Sequence, residues 1–449
     1  MLIKFRVSNF LSFEKLTEVG MIPSNKVQGM DEHIININNT SLLKYGVIYG
    51  ANAAGKSNLI KVFQFIRHCV LSNSIIDGTG MFCKNSEENK HIESIFEVQF
   101  TINGKFYAYG FSLLLEKQSI VSEWLFELHL NTPPTRLFVW EKGKKPELDS
   151  NLKSSDSNRF DTYIADFDEN ANALFLHAMN NGKRYSKNTP IYVFEEVFNW
   201  ITSRIIVVTP DTSLKSFEFY DDQASFSMIN ELIRVFDTGI TNVEMVETTL
   251  DVLRKELPRP AFDNVVSNFK IMKEQKAPQL VSFAMRADQY FIRVTLEDRK
   301  YPKITTLSLK HGSAFYGFKY SEESDGTKRL FELLDMLLSV SEDVIYVVDE
   351  MERSLHPKLT EKFIKLFEQR HHNKRVQLVF TTHEASIMDL ELFRRDEIWF
   401  VERDNENSSH VYTLDKFKER YDKNLSKAYL EGRYGAVPVF KSFSFKEEV

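Results

Sequence analysis

Gly50-Ala51-Asn52-Ala53-Ala54-Gly55-Lys56-Ser57 spaces two glycines, a lysine and a serine as G-x-x-x-x-G-K-S, between an apolar run from Tyr45 to Tyr49 and a helical pattern from Lys56 to Val70. In that setting the glycines let backbone N–H groups curl around a polyphosphate. The lysine supplies a mobile positive charge for the β and γ phosphates, and the serine hydroxyl can meet Mg2+. Asn52, Gly55, Lys56, Ser57 and Asn58 are therefore the residues expected to hold a nucleoside triphosphate. Far along the chain, Val344-Ile345-Tyr346-Val347-Val348 reads as a strand buried on both faces, and it ends in Asp349-Glu350. Asp349 is placed to hold Mg2+ together with Ser57, and Glu350 to polarise the water that attacks the γ-phosphate. Gln377-Leu378-Val379-Phe380 repeats the design and ends in Thr381-Thr382-His383, which makes His383 a γ-phosphate sensor.

A fourth element precedes the Asp349-Glu350 strand. Glu323-Ser324-Asp325-Gly326-Thr327 opens the helical pattern Leu330, Leu333, Leu334, Leu337, Leu338. A serine and a glycine at a helix start make an anion site from its N–H groups, and the same pair also serves as an ordinary N-cap. Its place between the phosphate loop and Asp349 favours the anion role for Ser324 and Gly326.

This order of phosphate loop, Ser-x-Gly, Asp-Glu strand and His strand resembles the ATP-binding-cassette ATPases. The likeness is to the soluble branch with SMC proteins, RecF and the overcoming-lysogenization-defect proteins. The resemblance implies ATP and Mg2+ as cofactors and ATP hydrolysis as the reaction. The implied fold is of α/β class, an ABC-type ATPase head with mixed sheets around the phosphate loop. It also implies a homodimer, in which Ser324 and Gly326 contact the γ-phosphate bound to the other chain. Leu2 to Phe10, with its Asn9-Phe10 pair, is similar to the first strand of RecF-type ATPases, although Leu11 stands where those carry arginine.

A closer similarity is to ATP-binding proteins of prokaryotic abortive-infection and anti-phage operons, including the ATPase subunit of the PARIS defence system. It rests on the Ser324 segment, Asp349-Glu350-Met351-Glu352-Arg353-Ser354-Leu355-His356-Pro357, Thr381-Thr382-His383 and the tail from Lys427 to Ala436. It implies an operon-encoded effector or toxin as partner and admits a phage protein as trigger. His356 stands where transporter cassettes communicate across the dimer through an aspartate. The glutamine loop, which in this class adds a ligand to Mg2+, has Gln99, Gln118 and Glu123 as candidates. Gln99 lies in an alternating run and reads as a solvent-facing strand residue, so Glu123 is the better choice.

Residues 1–125 are expected to form an N-terminal ATPase lobe, 126–305 an inserted α+β and helical subdomain, and 306–449 a C-terminal lobe carrying Ser324 and Gly326, Asp349-Glu350 and His383. Asn103-Gly104 predicts a hairpin between Phe100 and Phe106. The insertion contains no run of three or four heptads, so a long coiled coil is not expected. The stretch after His383 reads as too short for the Toprim nuclease domain of overcoming-lysogenization-defect proteins, which would put any killing activity on a partner chain. No apolar run approaches a membrane span and charged Lys4 and Glu14 interrupt the start, so a cytoplasmic protein is expected. Two cysteines, Cys69 and Cys83, suggest no disulfide framework there. The net charge of −6 provides no global attraction for nucleic acid. A RecF- or SMC-like ATPase acting on DNA is the alternative, with Lys142 to Lys145 and Arg370 to Arg375 as local basic clusters.

Overall fold

The computed structural model describes residues 1–72, 78–150, 152, 160, 162–164, 167, 173–210, 223–274, 280–287, 290–297, 301–417 and 424–438. The chain begins with β1 (Leu2–Ser8), β2 (Thr17–Gly20), the ribbon β3 (Ile34–Ile37) and β4 (Thr40–Leu43), β5 (Tyr45–Tyr49) and α1 (Lys56–Leu71). A meander follows through β6 (Ser94–Ile102), β7 (Lys105–Leu114), β8 (Ser119–Leu128), β9 (Thr135–Glu141) and β10 (Glu147–Leu148), then α2 (Phe175–Asn180), α3 (Tyr192–Asn199) and β11 (Ile205–Val208). The middle holds α4 (Gln223–Val235), β12 (Ile240–Thr248), α5 (Leu250–Glu256), α6 (Arg259–Glu274), β13 (Leu280–Ala287), β14 (Tyr290–Glu297), β15 (Tyr301–His311), β16 (Phe318–Lys319) and α7 (Asp325–Leu338). The chain closes with β17 (Val344–Val348), α8 (Pro357–His371), β18 (Val376–Thr381), β19 (Ile398–Arg403), β20 (Ser409–Thr413) and α9 (Leu425–Leu430).

Two compact units result. The first is Met1–Thr209 with Ser341–Met351 and His371–Val449, the second Pro210–Val340 with Glu352–Arg370. The first unit is built on a six-stranded sheet in the order β11-β17-β18-β5-β19-β20, parallel except for the β19–β20 pair. Every residue of β5, β17 and β18 is buried, which is why β5 and β17 are unbroken rather than alternating apolar runs, and why the one polar side chain inside β18, Gln377, is bonded to the backbone of Leu2 and Leu43. A seven-stranded antiparallel sheet, β10-β9-β8-β7-β6-β1-β2, completes the unit, with Asn103 (φ 50°) and Gly104 (φ 77°) making the expected tight turn between β6 and β7.

Between these sheets lies α1, whose Leu59, Ile60, Val62, Phe63, Phe65, Ile66, Cys69 and Val70 are too closely spaced for one stripe. Phe63 meets Phe5 at 4.7 Å between ring centroids and Phe65 meets Phe96 at 4.8 Å, while Ile48, Val347 and Val379 of the parallel sheet share the same apolar cluster. Each such buried side chain contributes roughly 1.5–3 kcal/mol, so the helix start is held rigidly where the phosphate loop ends. Asn9 (φ 48°) is buried and structural: its amide donates to Asn89 O and Ile92 O, and its Oδ1 accepts from Cys83 N. Cys69 and Cys83 are both buried and unbridged, and burial raises both thiol pKa values.

The second unit has an antiparallel sheet ordered β12-β15-β14-β13, with β16 paired to β15, and the helices α4 to α8. The division differs from the expected boundaries. A cut at 125/126 would fall within β8 and a cut at 305/306 within β15. The reason is long-range pairing: β9 extends the antiparallel sheet beside β8, and β11 pairs in parallel with β17, so residues up to 209 belong with the phosphate-loop unit. Residues 306–340 stay in the second unit because β15 is held between β12 and β14. No described helix exceeds 16 residues, and none is long and apolar enough to cross a membrane.

Candidate active site

Because β17, β18 and β5 are parallel neighbours, their carboxyl ends share one edge of the sheet. That edge brings together Gly50 after β5, Asp349-Glu350 after β17 and Thr381-Thr382-His383 at the end of β18, where ligands of open α/β sheets bind. Backbone bonds stitch the edge: Thr382 N donates to Ile48 O at 3.0 Å, Met351 N to Thr381 O at 3.0 Å and Asp349 N to Val208 O at 2.8 Å.

The phosphate loop turns through Ala53 (φ 62°) and Gly55 (φ 114°) into α1. A Cβ on Gly55 would stand 2.4 Å from Ser409 Oγ and 2.7 Å from Ser12 Oγ, so both space and dihedral require glycine. Those two serines brace the loop. Ser409 Oγ donates to Ala54 O at 2.6 Å, Asn58 Nδ2 to Ser12 Oγ at 2.8 Å, and Ser409 N to Ser12 O at 2.8 Å. No side chain caps α1, which leaves its first amides facing the loop as an anion site. Lys56 Nζ donates to Gly50 O at 2.8 Å and Ala51 O at 3.1 Å and lies 3.3 Å from His383 Nδ1. Asn52 is exposed at the crest of the loop.

Beside Lys56, Ser57 Oγ donates to Asp349 Oδ1 at 3.1 Å. Thr381 Oγ1 donates to the same oxygen at 2.6 Å and accepts from Glu350 N at 2.8 Å. A hydroxyl and a buried carboxylate side by side at the mouth of a phosphate loop suit Mg2+, which takes one or two protein oxygens and completes its shell with phosphate and water. Among the described residues no cluster of three or more His, Cys, Asp or Glu offers an all-protein cage, and Mg2+ needs none. Glu350 is half-buried and left-handed (φ 48°), a conformation that non-glycine residues adopt only under constraint.

In the second unit Ser324 caps α7. Its Oγ accepts from Thr327 N at 3.1 Å, and Ser324 itself is exposed. A Cβ on Gly326 would stand 2.6 Å from Ser354 O, so the close approach of the two backbones demands glycine. His356 is exposed, and its Nδ1 accepts from Lys358 N at 3.2 Å.

Glu123 does not join the site. Its carboxylate is fully buried on β8 and accepts from Tyr109 OH at 2.9 Å, from Leu176 N at 3.0 Å and from Phe175 N, so it caps α2. Three donors and no exposure leave no face for a metal, which corrects the expectation of a Mg2+ ligand. Burial pushes its pKa up to about 7 against the backbone bonds that lower it. Gln99 donates to Glu97 Oε1 at 2.9 Å within its own strand, and Gln118 (φ 50°) ends a 3-10 turn.

Sequence reasoning missed Thr381, Ser12 and Ser409. Only Thr381 left a signal, a hydroxyl directly after the apolar run Leu378-Val379-Phe380. It also missed a cavity of about 270 Å3 lined by Leu11, Ser12, Asn58, Phe82, Lys84 and Arg403, which adjoins the phosphate loop through Asn58 and Ser12.

The chain is similar to a crystal structure of an SMC head bound to the C-winged helix domain of ScpA, at 13% identity and TM-score 0.40, covering 92% of this chain and 99% of that one. It is also similar to the SMC head domain from Thermotoga maritima, at 14% identity and TM-score 0.35, covering 92% of this chain and 98% of that one. A third similar structure is a Pyrococcus furiosus Smc head with an extended coiled coil, bound to the C-terminal domain of ScpA, at 11% identity and TM-score 0.40, covering 92% of this chain and 97% of that one. Likeness of that degree carries no inference about activity. Comparison with curated proteins gives no match. Residues 47–389, from the strand that feeds the phosphate loop to just beyond His383, match one family over most of the chain, and the protein thus belongs to the family described as "AAA domain, putative AbiEii toxin, Type IV TA system".

Proposed function

We propose that this protein is a cytoplasmic ATPase that closes as a homodimer around two Mg·ATP. It uses nucleotide state to hold or release an operon-encoded effector in anti-phage abortive infection. The observation that supports this most directly is the convergence of Lys56, Ser57, Asp349, Glu350 and His383 at one edge of the parallel sheet. Lys56 would exchange its loop carbonyls for phosphate oxygens, and the uncapped amides of α1 would cradle the rest. Ser57 and Asp349 would hold Mg2+, whose chemistry is to neutralise charge developing on the β and γ phosphates. Glu350 would orient and deprotonate the attacking water, and His383 would contact the γ-phosphate. The nucleoside end fits the cavity beside Asn58, where Lys84 and Arg403 add positive charge. Ser324, exposed, and Gly326, half-buried, at the head of α7 suit the phosphate of the facing chain, so hydrolysis would remove the group that both chains grip.

The test is phosphate release, light scattering and affinity capture on wild type and Glu350→Gln, expressed with neighbouring genes. Wild type should release phosphate. Glu350→Gln should be slower by on the order of 10³-fold and remain dimeric in Mg·ATP with a stoichiometric protein effector attached. Wild-type rates in Glu350→Gln would remove Glu350 as the base. Nucleic acid captured in place of a protein would replace this reading with an ATPase acting on DNA.

A further inference from the structure

We infer that Thr381 is a positioning residue for hydrolysis: one hydroxyl fixes the metal-binding carboxylate of Asp349 and the backbone of Glu350 relative to each other. This rests on the ATPase reading above. Thr381 ends β18 and is fully buried. A hydroxyl has one hydrogen to give and lone pairs to receive, and here both uses are dictated by the partners. A carboxylate oxygen can only accept, so the hydrogen goes to Asp349 Oδ1 at 2.6 Å. An amide N–H can only donate, so a lone pair takes Glu350 N at 2.8 Å. The carbonyl of the same residue accepts from Met351 N at 3.0 Å. One residue thereby grips three successive positions of the neighbouring strand end.

The middle position is the one under strain. Glu350 sits at φ 48°, which a residue with a side chain keeps only where its surroundings over-determine it. The Thr381 hydroxyl bonds the amide that begins this residue, and the carbonyl bonds the amide that follows it. Packing alone would be satisfied by valine, which has the same shape and matches Leu378, Val379 and Phe380 before it in β18. The hydroxyl is thus explained by what it holds and not by the space it fills. On the reading above most of the grip on the nucleotide falls to Lys56 and the loop amides, which Thr381 does not touch in any bond described above. The Asp349 carboxylate keeps its bond from Ser57 Oγ, so loss of the hydroxyl should act on turnover and leave binding in place.

The experiment compares steady-state phosphate release and titration with a fluorescent ATP analogue for wild type, Thr381→Val and Thr381→Ser. The valine variant should lose on the order of 10²-fold in kcat, as a misplaced catalytic group does, with KM and analogue affinity within about threefold. The serine variant, which keeps the hydroxyl, should recover most of the rate. Should the valine variant lose analogue binding altogether, Thr381→Cys keeps the shape with a poor hydrogen-bonding group and takes its place. Valine and wild-type rates within twofold would overturn the inference, as would a serine variant as slow as valine. A wild type that releases no phosphate would instead remove the ATPase reading, a failure distinct from these.

Discussion

Two helices of this protein begin at proposed phosphate sites, and they begin differently. At α1 the N-cap is Gly55, left-handed and without a side chain to cap the first turn. At α7 it is Ser324, extended, with its Oγ already accepting from Thr327 N. The polar groups around α1 hold one another, Ser57 and Thr381 on Asp349, Lys56 on the loop carbonyls, Asn58 on Ser12. At α7 Ser324 and Thr327 bond each other within the helix turn, and Ser324 is exposed. An uncapped start is completed by its ligand, whereas a capped start is stable without one. The first suits a nucleotide that is bound and turned over in place, the second a surface that meets phosphate only while two chains are closed.

The largest test of that contrast separates the two roles of Ser324. Aspartate caps helices as well as serine does, so Ser324→Asp should leave thermal stability nearly unchanged, while Ser324→Ala should cost about 1 kcal/mol. The same aspartate would face a γ-phosphate with negative charge. Turnover and ATP-driven dimerisation of Ser324→Asp should fall on the order of 10²-fold, measured by phosphate release and light scattering. Unchanged turnover would make Ser324 a cap alone, and the two helix starts would then have nothing in common beyond geometry.

A smaller effect is expected on the α1 side. Arg403 is exposed in the cavity beside the phosphate loop, so its charge is screened and worth about 1 kcal/mol to a bound phosphate. Arg403→Ala should raise KM for ATP about fivefold with kcat within twofold. An unchanged KM would put the bound phosphates out of reach of Arg403 and take the nucleotide out of this cavity.

These sites were unequally legible. The strands of Tyr45–Tyr49 and Val344–Val348 could be read because burial on both faces writes an unbroken apolar run, and the turn at Asn103-Gly104 because it needs two positive dihedrals in succession. The extent of the first unit could not be read. It depends on Ile205 pairing with Ile345, and nothing local to either residue announces the other. Thr381 was visible only as a polar end to a strand, since its partners come from a strand more than thirty residues earlier in the chain. Ser12 and Ser409 brace the loop from opposite ends of the sequence and carry no local signature at all. Glu123 and Glu350 pose the same problem in its plainest form. Both are acids in or just after an apolar strand, and only the fold decides which one meets helix amides and which one meets the site.

Glu123 therefore supplies the most discriminating test and the one with the smallest effect on turnover, an acid in the same unit as the α1 site whose whole effect should fall on stability. Its ordinary pKa of 4.5 is raised to about 7 by burial, so between those values the native state holds a proton that the unfolded chain has lost. Stability from this group is complete below pH 4.5 and falls as pH rises through the folded value, by about 3 kcal/mol in all. Glu123→Gln carries a neutral amide at every pH, and one of its polar atoms is a donor facing the amide of Phe175. It should be less stable than wild type at pH 5, yet lose less on going to pH 7.5, as urea denaturation at the two pH values would reveal. Turnover at pH 7.5 should stay within twofold of wild type. A folded variant with no turnover would return Glu123 to the metal site, and the division between acids that hold the fold and acids that hold the nucleotide would have to be drawn elsewhere.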